Sequence, residues 1–452
     1  MLDKGGFSLT DKVLFKGGTI LTLDHKLGVL NGADLLVEGS KIAAVEQTIE
    51  GVDAEIVDAA GMIVMPGLVD THRHTWQSII RGIGSDWSLQ TYLQSIYFGN
   101  LGSKRRPEDD YIAQWLGAVE ALDAGVTTLL DWTMINSDEH TEQLIAGLRA
   151  SGIRARFAYG SPGEESYWNR ESRLDLAAKA EEVKNAYFAS DGELVTMALA
   201  IRGPEFSSWE ATVAEIEAAR RLGLVCSMHL GFGNWGAQDR SVTKLHKAGL
   251  LGPDLNIVHG NAIANEELEL LRDFGGSLSI TPEIEMMMGH GYPVTGAAIE
   301  HGVIAALGVD VVTSTGGDLF AQMKFALQAE RAKQNQRLLD EGIMPEQVPL
   351  STKQMLEAAT IEGAKALMLE DKIGTLTPGK EADLIMLRCD DVNLLPITDP
   401  FGAVAQAAHP GNVESVFVAG KAKKRNGQLI GIDKDRLKKQ AVEARDFMLS
   451  SR

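Results

Sequence analysis

At 452 residues the chain is long enough for one large barrel or for two to three average domains, which excludes a peptide-sized module. Hydrophobic residues make up 44% of it and charged residues 23%, with 47 glycines, the composition of an ordinary globular protein and not of a disordered or fibrous one. The formal charge of −19 argues against nucleic acid and anionic membranes as partners, because a phosphate-binding face would have to overcome that field.

The N-terminal run MLDKGGFSLTDKVLFKGG has no charged segment followed by an apolar run and a small-residue cleavage site. No stretch approaches about 18 uninterrupted apolar residues, so a cytoplasmic protein is expected. From Lys12 to about Val64 the chain reads as short strands, VLFKGGTILTLD, DLLVEGSKIAAVE and AEIVDAAGMIVM, separated by Gly and Asp turn signals. Between about Pro66 and Leu369 the texture changes to apolar runs alternating with Ala- and Glu-rich stretches of helical period, the pattern of repeated βα units. The strand candidates there are MIVMPGLVDTH, TTLLDW, RARFAYG, LVTMALAIRG, LVCSMHL, NIVHG, GSLSITPE and VIAALGVD. Their number is the one a (β/α)8 barrel requires.

After the barrel, short strands return in IGTLTPGKEADLIML and VESVFVAGKAKKRNGQLIG, and the chain closes on a helical stretch, DKDRLKKQAVEARDFMLSS. Residues 1–65 and 370–452 are therefore expected to share one β-sandwich domain, with residues 66–369 forming an α/β, TIM-like catalytic barrel. Lys421, Lys423, Lys424 and Arg425 read as a solvated basic turn. Cys226 and Cys389 lie far apart in sequence and indicate no disulfide framework.

Catalytic groups of such barrels project from the C-terminal ends of the strands. His72 and His74 end the first strand candidate, His229 the fifth, His259 the sixth and Asp310 the eighth. Imidazoles with one carboxylate suit zinc, iron, cobalt or manganese, and a site of this kind leaves a coordination position for water. Water held there becomes acidic enough to attack near neutral pH.

With these residues placed, the run VMPGLVDTHRH, the strand-end His229 and His259, LGVD at Asp310 and the closing GTLTPGKEADLIML resemble the amidohydrolase superfamily, in its cytosine deaminase-like and triazine hydrolase-like branch. The resemblance spans nearly the whole chain. It implies a homodimer or larger homo-oligomer and one divalent metal per chain, zinc or alternatively iron, because the fourth strand candidate has no lysine to bridge a second ion. His72, His74, His229 and Asp310 would be the metal ligands. His259 and Asp310 would be catalytic, acting on a planar heterocyclic small molecule through metal-activated hydroxide. The activity implied is an aminohydrolase acting on a C–N bond of a nitrogen heteroaromatic. The alternatives are a hydrolase of a cyclic amide, carbamate or aryl halide, or a binding protein that retains metal without turnover.

Two positions depart from the branch. Its deaminases commonly carry a glutamate three residues after the fifth-strand histidine, where Phe232 stands here and cannot carry a proton. In TPEIEMMMGHG, Glu283 is the candidate replacement acid, with Glu285 and His290 beside it. Arg202 stands at the fourth strand end, where the branch often has a histidine. It is read either as a substrate contact for an anionic or oxo-bearing group or as an internal ion pair, with Glu205 as one partner. Trp76, Gln77 and His290 complete the candidate substrate contacts, with Trp87 and Tyr92 as further members of an aromatic wall.

Overall fold

Apolar runs too continuous for a half-exposed strand need cover on both faces, and a helix-wrapped parallel barrel supplies it. The computed structural model describes residues 12–99, 101–190 and 192–450; most of the run MLDKGGFSLTDKVLFKGG lies outside them. All eight barrel strands form, at Leu68–Arg73, Val126–Trp132, Arg154–Gly160, Val195–Ile201, Cys226–Leu230, Leu255–His259, Ser277–Ile280 and Ile304–Leu307. They run parallel and pair in chain order. No helix among the described residues is long and apolar enough to cross a membrane.

Closure joins the first and last strands at the point where the chemistry sits. The Asp310 N–H donates to the His72 carbonyl and the His74 N–H donates to the Asp310 carbonyl, each at 2.9 Å. Asp70, buried in the first strand, accepts from the Val309 N–H at 3.1 Å and from Arg73 Nε at 2.8 Å. Gly308 allows the approach: a Cβ there would lie 2.9 Å from both the N and O of His72, closer than real side chains come to backbone.

Both chain ends build the second sheet. Eight of its nine strands follow one hydrogen-bonded path in which Met62–Pro66 pairs antiparallel with Leu384–Arg388 and parallel with Lys12–Leu21, and the ninth, Glu55–Asp58, pairs alongside Lys12–Leu21. Strands distant along that path share one core, where Phe15 meets Phe417 edge to face at 5.0 Å, with Leu35, Val64 and Leu384 packed around them. A buried joint ties this sheet to the barrel. Arg154, opening the third barrel strand, makes a bidentate pair with Asp383 at 2.8 and 2.9 Å, and Asp383 also accepts the Ala419 N–H at 2.7 Å.

The basic run is a strand, Lys421–Arg425, and not a solvated turn. Lys424 is buried and donates to the carbonyl of Asp123 at 2.7 Å while pairing with its carboxylate at 2.8 Å, so this charge fastens the terminal sheet to a barrel helix, Pro107–Asp123. The closing helix, Lys434–Ser450, packs on that same helix and on Thr75–Ile80. It covers the barrel although its sequence follows the sheet. Cys226 and Cys389 are both free thiols.

Candidate active site

Four ligand atoms converge at the C-terminal mouth of the barrel. Those of His72, His74, His229 and Asp310 all lie within 4.8 Å of one another. Asp310 Oδ1 stands 3.3 Å from His72 Nε2 and 3.4 Å from His74 Nε2, and His229 Nε2 lies 3.2 Å from His72 Nε2. Burial drives His74 down to about 3 and His229 well below its ordinary value, with the His72 ring adding to both shifts. Those two imidazoles are neutral and offer lone pairs. Burial opposes ionisation of Asp310, but hydrogen bonding to His72 and the surrounding imidazoles hold its carboxyl below the usual range. Imidazole nitrogens crowding one carboxylate oxygen, with no Lys or Arg among the four, are a donor set that fits a divalent cation.

Two of these groups sit on backbone that side chains rarely adopt. His259 has φ 75° and Asp310 φ 67°, left-handed conformations that persist where surrounding structure enforces them, often at functional sites. The turn aims both side chains across the barrel mouth. His259 Nε2 lies 3.9 Å from Asp310 Oδ2. On its other side, Nδ1 is 3.1 Å from Thr281 Oγ1 and 3.4 Å from Glu285 Oε1. Glu285 is itself anchored by the Thr281 N–H at 2.8 Å and by Asn261 Nδ2 at 3.0 Å.

Above this floor the pocket is aromatic and aliphatic. Leu89, Tyr92, Leu93 and Tyr97 come from the segment after the first strand, Trp168 follows the third, Phe206 the fourth and Phe232 the fifth. Met288 and His290, after the seventh strand, complete the wall. The space between these side chains, counted out to its open mouth, is about 480 Å³. The His290 ring stacks on His259 at 4.5 Å, and Phe232 meets His259 at 4.8 Å and His290 at 5.1 Å. Burial, with the His259 ring adding to it, depresses His290 to about 3.

Several expected contacts lie elsewhere. Glu283 does not line the pocket; its carboxylate accepts from Gln322 Nε2 at 3.0 Å. Burial raises it to about 7, with Asp318 adding to the shift, so its unusual acidity belongs to the helix packing and not to the mouth. Glu285, two residues on, is the one that reaches His259. Trp76 is fully buried, with the Arg105 guanidinium 4.0 Å from its ring centre, and so packs the interior. Gln77 stands one layer behind the wall, donating to the Tyr92 hydroxyl at 2.6 Å, and Trp87 is partly buried against the core.

Arg202 turns outward from the pocket and is fully buried. It donates to the carbonyls of Tyr167 and Leu174, to Ser172 Oγ at 3.3 Å and to Glu215 Oε1 at 3.3 Å. The ion pair is with Glu215, not Glu205, and the guanidinium braces the loop that carries Trp168. Arg202→Met leaves the Glu215 carboxyl buried without its counter-charge, so stability should fall by about 3–5 kcal/mol in denaturant unfolding. Arg202→Met combined with Glu215→Leu should recover most of that loss. An unchanged single variant contradicts the brace.

Sequence reading missed Trp168, Phe206, Tyr97 and the second-strand Trp132, whose ring lies 4.7 Å from His229 and 5.3 Å from His74. Trp132 was findable, since it ends a barrel strand as the histidines do. The loop residues carried only the general rule that βα loops line the mouth.

A model of the amidohydrolase family matches residues 63–423. The chain is 27% identical over 445 residues to a 5-methylthioadenosine/S-adenosylhomocysteine deaminase of Shouchella clausii, covering 96% of this chain and 98% of that one. It is 28% identical over 448 residues to a 5'-deoxyadenosine deaminase of Methanosarcina acetivorans, covering 97% and 98%. Among solved structures, a zinc-bound adenosine deaminase of Xanthomonas campestris superposes with a TM-score of 0.86 at 23% identity, covering 97% of this chain and 98% of that one. An atrazine chlorohydrolase of Arthrobacter aurescens in complex with zinc does so at 0.83 and 20% identity, covering 96% and 100%. The family model spans both the eight-stranded barrel and the converging histidines, and the chain belongs to the amidohydrolase family.

Proposed function

We propose that this protein is a mononuclear metal-dependent aminohydrolase that removes an amino or substituted-amino group from a planar nitrogen heterocycle. The observation that carries the reading is the convergence of His72, His74, His229 and Asp310 within 4.8 Å beneath an aromatic pocket. Zinc is the preferred ion and iron the alternative, since both accept imidazole and carboxylate ligands. One ion per chain is supported by the fourth strand, Val195–Ile201, which carries no lysine and is followed by the outward-turned Arg202. The relatives from Shouchella and Methanosarcina, named as deaminases of adenosine derivatives, support a C–N bond as the target.

His72, His74, His229 and Asp310 would hold a divalent ion, which would supply a water acidic enough to react near neutral pH. Asp310 would take up the proton released there. His259, held through Nδ1 by Thr281 and Glu285, directs Nε2 toward Asp310 and the pocket and hydrogen-bonds the oxygen that attacks the ring. With Glu283 outside the pocket, the proton for the departing nitrogen is assigned to His290 or to solvent.

Phe232 favours a second reading. Its ring occupies the space beside His259 and His290 where a carboxylic acid would serve a poor leaving group. Among the alternative bonds, an aryl halide makes the least demand on such an acid because halide departs without a proton, and the Arthrobacter relative is named a chlorohydrolase; a cyclic amide or carbamate remains the other alternative.

The deciding experiment pairs elemental analysis of the purified chain with an ammonia-release screen of aminated purines, pyrimidines, pterins and triazines. About one metal per chain with ammonia release supports the aminohydrolase. Metal without ammonia, and with turnover of an amide, carbamate or halide, supports the second reading. Two metals per chain contradict the mononuclear site.

A further inference from the structure

The face of such a barrel at the N-terminal ends of its strands ordinarily serves stability. One cavity on that face is lined by basic and hydroxyl groups. Arg154 and Arg156 come from the start of the third strand, Thr196 from the start of the fourth and Lys372 from the segment after the barrel. Counted out to its open mouth, the space between them is about 600 Å³. It lies at the opposite end of the strands from His72, His229 and the rest of the metal cluster.

Internal pairing does not use up the donors of this cavity. Arg154, whose side chain is 9% exposed, gives Nε and Nη2 to Asp383 at 2.8 and 2.9 Å, and no hydrogen bond leaves its Nη1 toward the described residues. Thr196 Oγ1 accepts from Arg156 Nη1 at 3.0 Å, so its own O–H is left to donate. Arg156 adds its charge while holding the Leu367 carbonyl at 3.0 and 3.2 Å. Lys372 is exposed, and its ammonium makes no ion pair with the described residues. Acids beside the cavity are held by other cations: Glu193 pairs with Arg149 at 2.8 Å and Glu381 with Lys41 at 2.6 Å.

The directions of the remaining donors decide the ligand. A planar carboxylate is best met by a guanidinium fork, and the fork of Arg154 is closed on Asp383. What is left is a guanidinium N–H, a hydroxyl and an ammonium, each from a different part of the chain. Single donors from separate directions suit a tetrahedral oxyanion, and the added charge of Arg156 favours a dianion. In a chain of net charge −19 this concentration of positive charge is local.

We infer that the cavity is a phosphate-binding site, taking inorganic phosphate or the phosphate group of a monoester, remote from the hydrolytic centre. Phosphate there joins the third and fourth strands to residues 367–372. Leu367 and Leu369 of that segment share a core with Leu130 and Ala198 of the barrel, so the bound ion fastens the bottom of the barrel.

The test is calorimetric titration of the full-length, zinc-loaded protein with inorganic phosphate, at fixed ionic strength and at a pH where the dianion dominates. Saturable binding of a single phosphate is expected, with a rise in the unfolding midpoint as phosphate is added. Lys372→Gln and Thr196→Val should each weaken binding by about tenfold or more, and Lys372→Gln should leave the phosphate-free midpoint unchanged. Lys439→Gln, which removes the same charge from the exposed face of the closing helix, should bind phosphate as the unmodified chain does. Zinc also attracts phosphate, so the variants decide: binding that survives Lys372→Gln places the ion elsewhere and overturns the proposal. Failure to saturate in the millimolar range overturns it too, as does acetate binding as tightly as phosphate. Ethyl phosphate separates the two sources. Tighter binding than the free ion assigns the site to a phosphorylated small molecule, and equal or weaker binding assigns it to inorganic phosphate.

Discussion

His72→Ala and His229→Ala should each yield a folded chain that no longer retains metal and has lost its turnover. His72 Nε2 faces both Asp310 and His229 Nε2, so its removal takes away the ligand at the centre of the cluster. The fall in metal affinity should exceed the roughly 10- to 100-fold that follows loss of a mere supporting partner. Metal content after gel filtration is the measurement, with thermal unfolding of the metal-free forms as the control for folding. His72 is buried between the first strand and the eighth, and a truncation there could loosen closure of the barrel. His229, partly exposed toward the pocket, is the cleaner variant. Retention of stoichiometric metal by His229→Ala would remove it from the ligand set.

The part of this site that sequence makes legible is the part fixed by topology. A parallel barrel delivers whatever ends its strands to one mouth, so His72, His74, His229, His259 and Asp310 could be brought together from five strand-end positions without knowing any loop. The same logic places Trp132 there. Glu283 and Glu285 show where that logic stops. Both lie on one short helix, Pro282–Met288, and which of them faces His259 depends on a helical rotation that the spacing alone does not set. Arg202 shows a second limit: it stands at a strand end, yet its long side chain reaches away from the mouth to carbonyls in a loop whose path sequence does not reveal. The basic strand Lys421–Arg425 was misread for a related cause. Charge at one position says nothing of the carboxylate and carbonyl of Asp123 that receive the buried Lys424.

His259→Ala should separate chemistry from metal binding. Its Nε2 is 3.9 Å from Asp310 Oδ2, outside the four-atom ligand cluster, so metal content should be unchanged while kcat falls by about 10²–10⁴-fold, the usual contribution of a positioned acid/base. Glu285→Gln probes the same ring from behind. The amide keeps the size of the side chain and a hydrogen bond to the Thr281 N–H, but removes the charge facing His259 Nδ1. It should lower kcat by a smaller factor, on the order of 10–100-fold, leave KM little changed, and shift the pH profile. A purely structural Glu285 would instead lower stability without moving that profile. Loss of metal from His259→Ala would make His259 a ligand, and normal turnover in the same variant would give its role to His290, which stacks against it at 4.5 Å.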